Sequence, residues 1–191
     1  MAATEPIRNK HQVRALIAYF LNRGQLRNHC LVALGIYTAL RVSDLLRLKW
    51  DDVYDFECRR VRRHIALTEK KTGKTKAIAL NKEAVRALEL YAKRSAKPGG
   101  FLIENERTGK AISRIQAYRI IRAAAEALGF PERVSCHSLR KTFGYHAWKN
   151  GASPAVIMEI YNHSSFTVTK RYLGVSQDDK NEVYMRLRFP A

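Results

Sequence analysis

Residues 135–148 read S-C-H-S-L-R-K-T-F-G-Y-H-A-W, and residues 161–173 read Y-N-H-S-S-F-T-V-T-K-R-Y-L. Between them lies a break at Asn150-Gly151. A helix is expected from about Ser138 to Lys149, ending at that break. His137 and Arg140 sit three apart at its start, so both point to one face. His163 and Tyr172 follow, nine apart, across a polar Ser/Thr stretch. One face can gather two imidazoles, a guanidinium and a phenol. These are donors for a phosphate together with one candidate nucleophile. The rest of the chain has to supply a second cation and a platform.

The chain has 191 residues, the size of one domain or two small ones. It is 46% hydrophobic, enough for a real core, and excludes wholesale disorder. Against 17 acidic residues stand 35 Lys and Arg, a formal net charge of +18, which points to a polyanionic partner. Nucleic acid is the first candidate and an anionic membrane surface the second. The three cysteines, Cys30, Cys58 and Cys136, form no C-x-x-C, so neither a disulfide framework nor a zinc knuckle is indicated. No apolar signal core or long apolar run is present. The expectation is a soluble, cytoplasmic protein with no membrane partner.

Outward from the opening stretch, helical periodicity covers residues 8–22, closed by Gly24. A second helix, about Leu26 to Thr38, is apolar almost all round and therefore buried. In T-A-L-R-V-S-D-L-L-R-L-K-W, Arg41 stands at the seam of two apolar segments, with Asp44 three residues on as a candidate partner or as a surface ion pair. From Trp50 to Leu80 the pattern shortens and alternates, predicting a three-stranded antiparallel sheet over about 51–80. Its last turn, centred on Thr72-Gly73, is crowded by Lys70, Lys71, Lys74 and Lys76. These lysines either shield a sheet edge or enter a DNA groove. Asn81, Ser113 and Ser153-Pro154 read as helix starts. The tail, 176–191, is a short amphipathic helix with Val183, Met185 and Leu187 on one stripe.

Four segments together resemble the tyrosine recombinases, the phage-integrase family, over about Leu34 to Leu173. T-A-L-R-V-S-D-L-L-R-L-K-W is similar to the family's first box. H-S-L-R-K-T-F resembles H-x-L-R-x-T-F, and N-H-S-S-F-T-V-T-K-R-Y resembles G-H-S-S-x-x-x-T-x-x-Y. E-K-K-T-G-K-T-K-A-I-A-L is similar to the family's lysine hairpin. The resemblance implies a mixed, mostly α fold with a small three-stranded antiparallel sheet. It also implies a catalytic domain over 1–175, with 176–191 as a tail able to dock on a neighbour. The implied activity is site-specific recombination of double-stranded DNA through a 3′-phosphotyrosine, with no metal and no cofactor. Its implied assembly is a homotetramer on DNA and a monomer when free.

Residue by residue, the resemblance makes Tyr172 the nucleophile and Arg41 and Arg140 the phosphate clamp. His137 is then the proton acceptor or donor, His163 a phosphate donor and Lys71 the acid for the leaving oxygen, with Lys70 and Lys74 as alternatives. Asp44 matches the family's acidic position. Lys70, Lys74, Lys76, Lys141, Lys170 and Arg171 are the expected DNA contacts. Asn162 replaces the usual glycine before His163 but tolerates the same left-handed backbone. Only about 25 residues precede the buried helix, too few for a further domain. The chain thus resembles short members such as fimbrial-inversion recombinases and minimal phage integrases. It is a natural short protein, which Met1 favours, or a fragment. The competing readings are a DNA-binding regulator with this fold, a type IB topoisomerase-like enzyme and, at Cys136, a thiol nucleophile. Tyr161 and His146 read as structural.

Overall fold

The computed structural model describes residues 4–68, 73, 75–175 and 177–187; the side chains of Arg171, Gln177, Asp178, Glu182 and Val183 are also outside the description. Helix α2 (Leu26–Tyr37) is the axis of the molecule. Residues 29–36 on it are all buried, as its unbroken apolar run requires. Around it pack α1 (Lys10–Leu21), α5 (Lys82–Ser95) and α7 (Cys136–Lys149). The crossing with α7 is close because Gly35 has no side chain: a Cβ there would lie 2.7 Å from Leu139 Cδ1.

The helix starts follow the expected caps. Asn81 accepts from Ala84 N at 2.9 Å to open α5, and Ser113 accepts from Gln116 N at 3.1 Å to open α6 (Arg114–Ala127). Ser153 accepts from Ala155 N at 3.3 Å, with Pro154 at the first position of α8 (Pro154–Tyr161). Helix α7 begins two residues earlier than its sequence pattern suggests. Ser135 is the true cap: its hydroxyl accepts from His137 N, and Ser138 accepts from Ser135 N, each at 3.2 Å.

The predicted fold class holds, mostly helical with small antiparallel ladders, but the three-stranded sheet needs correction. Its first residues form the single turn α4 (Trp50–Val53) instead of a strand. The rest is, among the described residues, two separate two-stranded ladders. They are β1 (Tyr54–Asp55) with β2 (Arg60–Val61), and β3 (His64–Thr68) with β4 (Thr75–Ala79). The intended middle strand breaks at Arg62-Arg63. Arg62 N donates back to Val53 O at 2.8 Å, while Arg63 O accepts from Leu80 N at 2.9 Å, so successive residues serve opposite neighbours. A third ladder, β5 (Glu104–Asn105) with β6 (Lys110–Ala111), lies before α6.

One core cluster joins α2 to α4, α5 and the ladders through Leu34, Trp50, Ile65, Leu88 and Ile103. Each such fully buried side chain contributes on the order of 2 kcal/mol against the entropy of folding. A second cluster seats α1 on α6 and α7 through Leu16, Phe20, Ile121 and Leu139. The third is small, built on Ala39, Ile157, Tyr161 and Leu173, and it underlies the site. Among the described residues no helix is long and apolar enough to cross a membrane.

Candidate active site

Four short segments converge on the third cluster. The first box supplies Arg41 at the N-cap of the single turn α3 (Val42–Leu45). Its carbonyl accepts from the amides of Asp44 and Leu45, both at 2.9 Å, and Asp44 is only 2% exposed. Just before it, Ala39 takes a left-handed backbone, φ 55°. That conformation is costly for a residue with a Cβ. Here it turns the Ala39 carbonyl toward α7, where Arg140 Nη1 donates to it in a short hydrogen bond.

Arg140, 1% exposed, also donates from Nη2 to the Tyr161 carbonyl at 2.9 Å. Arg41 Nη2 donates to the same carbonyl at 3.3 Å. The two guanidiniums predicted from separate boxes therefore meet at one oxygen. Tyr161 is the hub in other ways. Its hydroxyl donates to the Arg140 carbonyl at 2.6 Å, and its ring lies 4.5 Å beneath the Arg140 guanidinium. Burial raises its pKa, so this buried, engaged phenol stays neutral. Gly144 makes room for it, since a Cβ there would lie 2.3 Å from the Tyr161 hydroxyl.

Helix α8 ends at Asn162, which is left-handed at φ 52°, ψ 50°, the conformation expected of it in place of glycine. The turn presents His163, whose Nδ1 shares a 3.1 Å hydrogen bond with Thr169 Oγ1. Thr169 lies on α9 (Phe166–Leu173), a helix not foreseen in the Ser/Thr-rich stretch, and Tyr172 is on the same helix. The Tyr172 ring centre is 4.6 Å from His163, 4.9 Å from His137 and 5.0 Å from Tyr161. Two cations lie over it, Arg140 Cζ at 5.9 Å and Lys141 Nζ at 5.8 Å from the ring centre.

Electrostatics favour a neutral base at His137 in this cationic site. Desolvation, then Lys141, Arg140 and Arg41, lower the His137 pKa to about 4. His137 is itself exposed, which limits the desolvation. The three cations push the same way, so the imidazole is unprotonated at neutral pH and can accept a proton. Burial pushes the Cys136 thiol up to about 11, which leaves it protonated and speaks against a thiol nucleophile.

The structure thus brings Arg41, His137, Arg140, His163 and Tyr172 together, although they span 132 positions. Lys76 is beside them, its Nζ donating to Ile160 O at 3.2 Å. Lys141 is 7% exposed, and its ammonium is engaged by the Thr4 carbonyl at 2.5 Å, inside the site wall rather than on an outer surface. Lys170 is exposed on α9. Lys70, Lys71 and Lys74 lie outside the described residues, as does the side chain of Arg171. The Tyr161 carbonyl and Ala39 went unnoticed in the sequence because backbone groups carry no residue signature. Thr169 had one: it is the threonine of the third box.

Residues 8–178 match the phage integrase family. The chain belongs to that family. Membership puts it among the tyrosine-type site-specific DNA recombinases. It is 38% identical to the probable integrase/recombinase YoeC of Bacillus subtilis (strain 168), over 96% of this chain and 97% of that one. It is 34% identical to tyrosine recombinase XerD of Mycobacterium leprae (strain TN), covering 83% of this chain but only 51% of XerD. The crystal structure of XerA recombinase superposes with a TM-score of 0.80 at 24% identity, over 98% of this chain and 68% of that chain. A lambda integrase dimer bound to a COC′ core site gives 0.67 at 18% identity, over 100% of this chain and 52% of that one. These two likenesses carry the fold.

Proposed function

We propose that this chain cuts and rejoins double-stranded DNA with Tyr172 as nucleophile. The observation that carries the reading is the Tyr172 ring, held between His137 and His163 with Arg140 above it. A scissile phosphate displacing the Tyr161 carbonyl would receive the Arg41 and Arg140 donors that now meet there, in charge-assisted bonds suited to a planar fork. Neutral His137 takes the phenol proton as the tyrosine oxygen attacks phosphorus. The phosphorus–5′-oxygen bond breaks, and the leaving oxygen takes a proton from a hairpin lysine, Lys71 by motif. Rejoining runs the same steps backward with a new 5′-hydroxyl. His163 donates to a phosphate oxygen. With two guanidiniums at the phosphate, charge neutralisation does not call on a metal ion.

DNA is the partner, reached through the +18 field, with Lys70, Lys74, Lys76, Lys170 and Arg171 as phosphate contacts. We read the free protein as a cytoplasmic monomer that assembles as a tetramer on DNA, with residues 176–191 docking on a neighbour. A nicked suicide duplex tests the core of this. A covalent adduct should form in EDTA and map to Tyr172. An adduct on another residue, or none without metal, overturns the mechanism. Relaxation of a plasmid lacking a recombination site, with no partner exchange, would mark a topoisomerase instead.

A further inference from the structure

The segment Thr4–Arg8 has no helical or strand pattern, yet it is stitched to the site from outside. Ile7, 3% exposed, gives its amide to Thr142 Oγ1 at 2.9 Å, and its carbonyl shares a 3.0 Å bond with His146 Nε2. Both side chains stand on one face of α7, four residues apart. Thr4 O holds Lys141. Arg8 has its guanidinium 5.9 Å from the ring centre of Tyr145 on α7 and reaches the far end of α9, where its Nη2 donates to Gly174 O at 3.1 Å. Gly174 is the left-handed cap of α9, φ 60°, and a Cβ on it would sit 3.0 Å from Pro6 Cγ.

This contact falls where a short helix needs it. The last carbonyls of a helix have no partner of their own and carry the negative end of its dipole, so a guanidinium there is a charge-assisted cap. Helix α9 has eight residues, too few to persist alone. Tyr172 lies in its final turn, two residues before the capped carbonyl. Fraying or rotation of that turn moves the phenol directly. The rest of the strap is bonded to α7, which carries His137 and Arg140. The strap therefore spans the two elements whose relative placement sets the distance between nucleophile and phosphate clamp.

We propose that Arg8 is a positioning residue for Tyr172, acting through the Gly174 carbonyl, with Thr4 and Ile7 fixing the strap to α7. The proposal rests on Tyr172 being the nucleophile. A merely structural strap would work through Ile7, which is buried. The Arg8 side chain is 46% exposed, and its 3.2 Å pair with Glu5 is a surface pair of little energetic weight. Arg8→Ala should therefore leave the fold intact and act on geometry.

The test is single-turnover adduct formation on a nicked suicide duplex, at saturating DNA, beside DNA affinity and the melting midpoint. Arg8→Ala should slow adduct formation about tenfold, since misplacement of about 1 Å costs up to about a hundredfold. DNA affinity should stay within about twofold of wild type. Arg8→Lys, which still reaches the carbonyl, should restore most of the rate. Gly174→Ala, disturbing the same contact from the other side, should be slow as well. A wild-type rate for Arg8→Ala at saturation overturns the proposal. So does a loss that more DNA repairs, which would make Arg8 a phosphate contact, or a collapse of the melting transition, which would make it a fold element. Mapping the wild-type adduct separates the two readings: an adduct away from Tyr172 sinks the nucleophile assignment whatever Arg8 does.

Discussion

Helices α9 and α10 (Gln177–Arg186) follow one another in the chain, are both short, and end differently. In α9, Thr169 and Leu173 are 0% and 1% exposed, packed against α7 and α8. In α10 the first turn is held by Asp179, which pairs with Lys149 at 2.5 Å. Beyond it Tyr184 and Met185 are each 79% exposed, and Leu187 is 69% exposed. An apolar stripe tells that a helix wants a partner, and says nothing of which chain provides it. For α9 the partner is in the same fold. For α10, the exposed end is apolar surface that the docking on a neighbouring copy proposed above would cover.

The largest effects are expected at α9. Tyr172→Phe should abolish adduct formation on the suicide duplex while filter binding stays near wild type, because only a hydroxyl is lost. Next comes the clamp above it. Arg140→Ala should lower the cleavage rate by at least about a hundredfold. Arg140→Lys should rescue little, because a lysine ammonium lacks the planar fork whose two Nη atoms reach the Ala39 and Tyr161 carbonyls. Near-normal cleavage by the lysine variant would argue against a bidentate clamp. The packing that seats α8 on α7 is weaker in effect. Gly144→Ala sets a methyl against the Tyr161 hydroxyl and should cost about 2 kcal/mol in urea unfolding.

The α10 side sharpens the contrast. Met185→Glu should change stability by less than about 0.5 kcal/mol, spare binding to a single site, and suppress recombination between two sites. Unaltered recombination would return the tail to its own domain or make it dispensable. The smallest effect concerns His137. Its folded pKa, about 4, lies below the ordinary histidine value of 6.5, so the unfolded chain binds more protons between them. Its contribution to stability is complete above 6.5 and is lost as pH falls toward about 4. An NMR titration of free protein should find that depressed midpoint, and His137→Gln should flatten the corresponding stretch of the stability curve.

Much of this was legible beforehand where side chains carry the message. Asn81, Ser113 and Ser153 announce helix starts through their oxygens, and Asn162 announces a left-handed turn. The boxes named the side chains that meet at Tyr172. Less legible was anything carried by backbone. Ala39 has no feature that betrays a left-handed φ, and the strap residues have no periodicity to detect. Helix α9 was hidden because Thr167, Val168 and Thr169 are poor helix formers, and tertiary packing overrides that preference. The sheet was misjudged because Arg62 and Arg63 continue the alternation in letters while their backbone bonds turn to opposite sides.

One consequence of the arginine clamp concerns the time before folding ends. Arg140 finds one acceptor 101 positions upstream, at Ala39, and another 21 downstream, at Tyr161. Closing such long loops is entropically late, after local helices have formed. A half-made or half-folded chain therefore holds Tyr172, the proposed nucleophile, without the guanidiniums proposed to clamp the phosphate. For a DNA recombinase, that ordering is a safety catch: the proposed site is assembled last. Trapping experiments started at successive times of refolding should find DNA adducts only once the native core has closed.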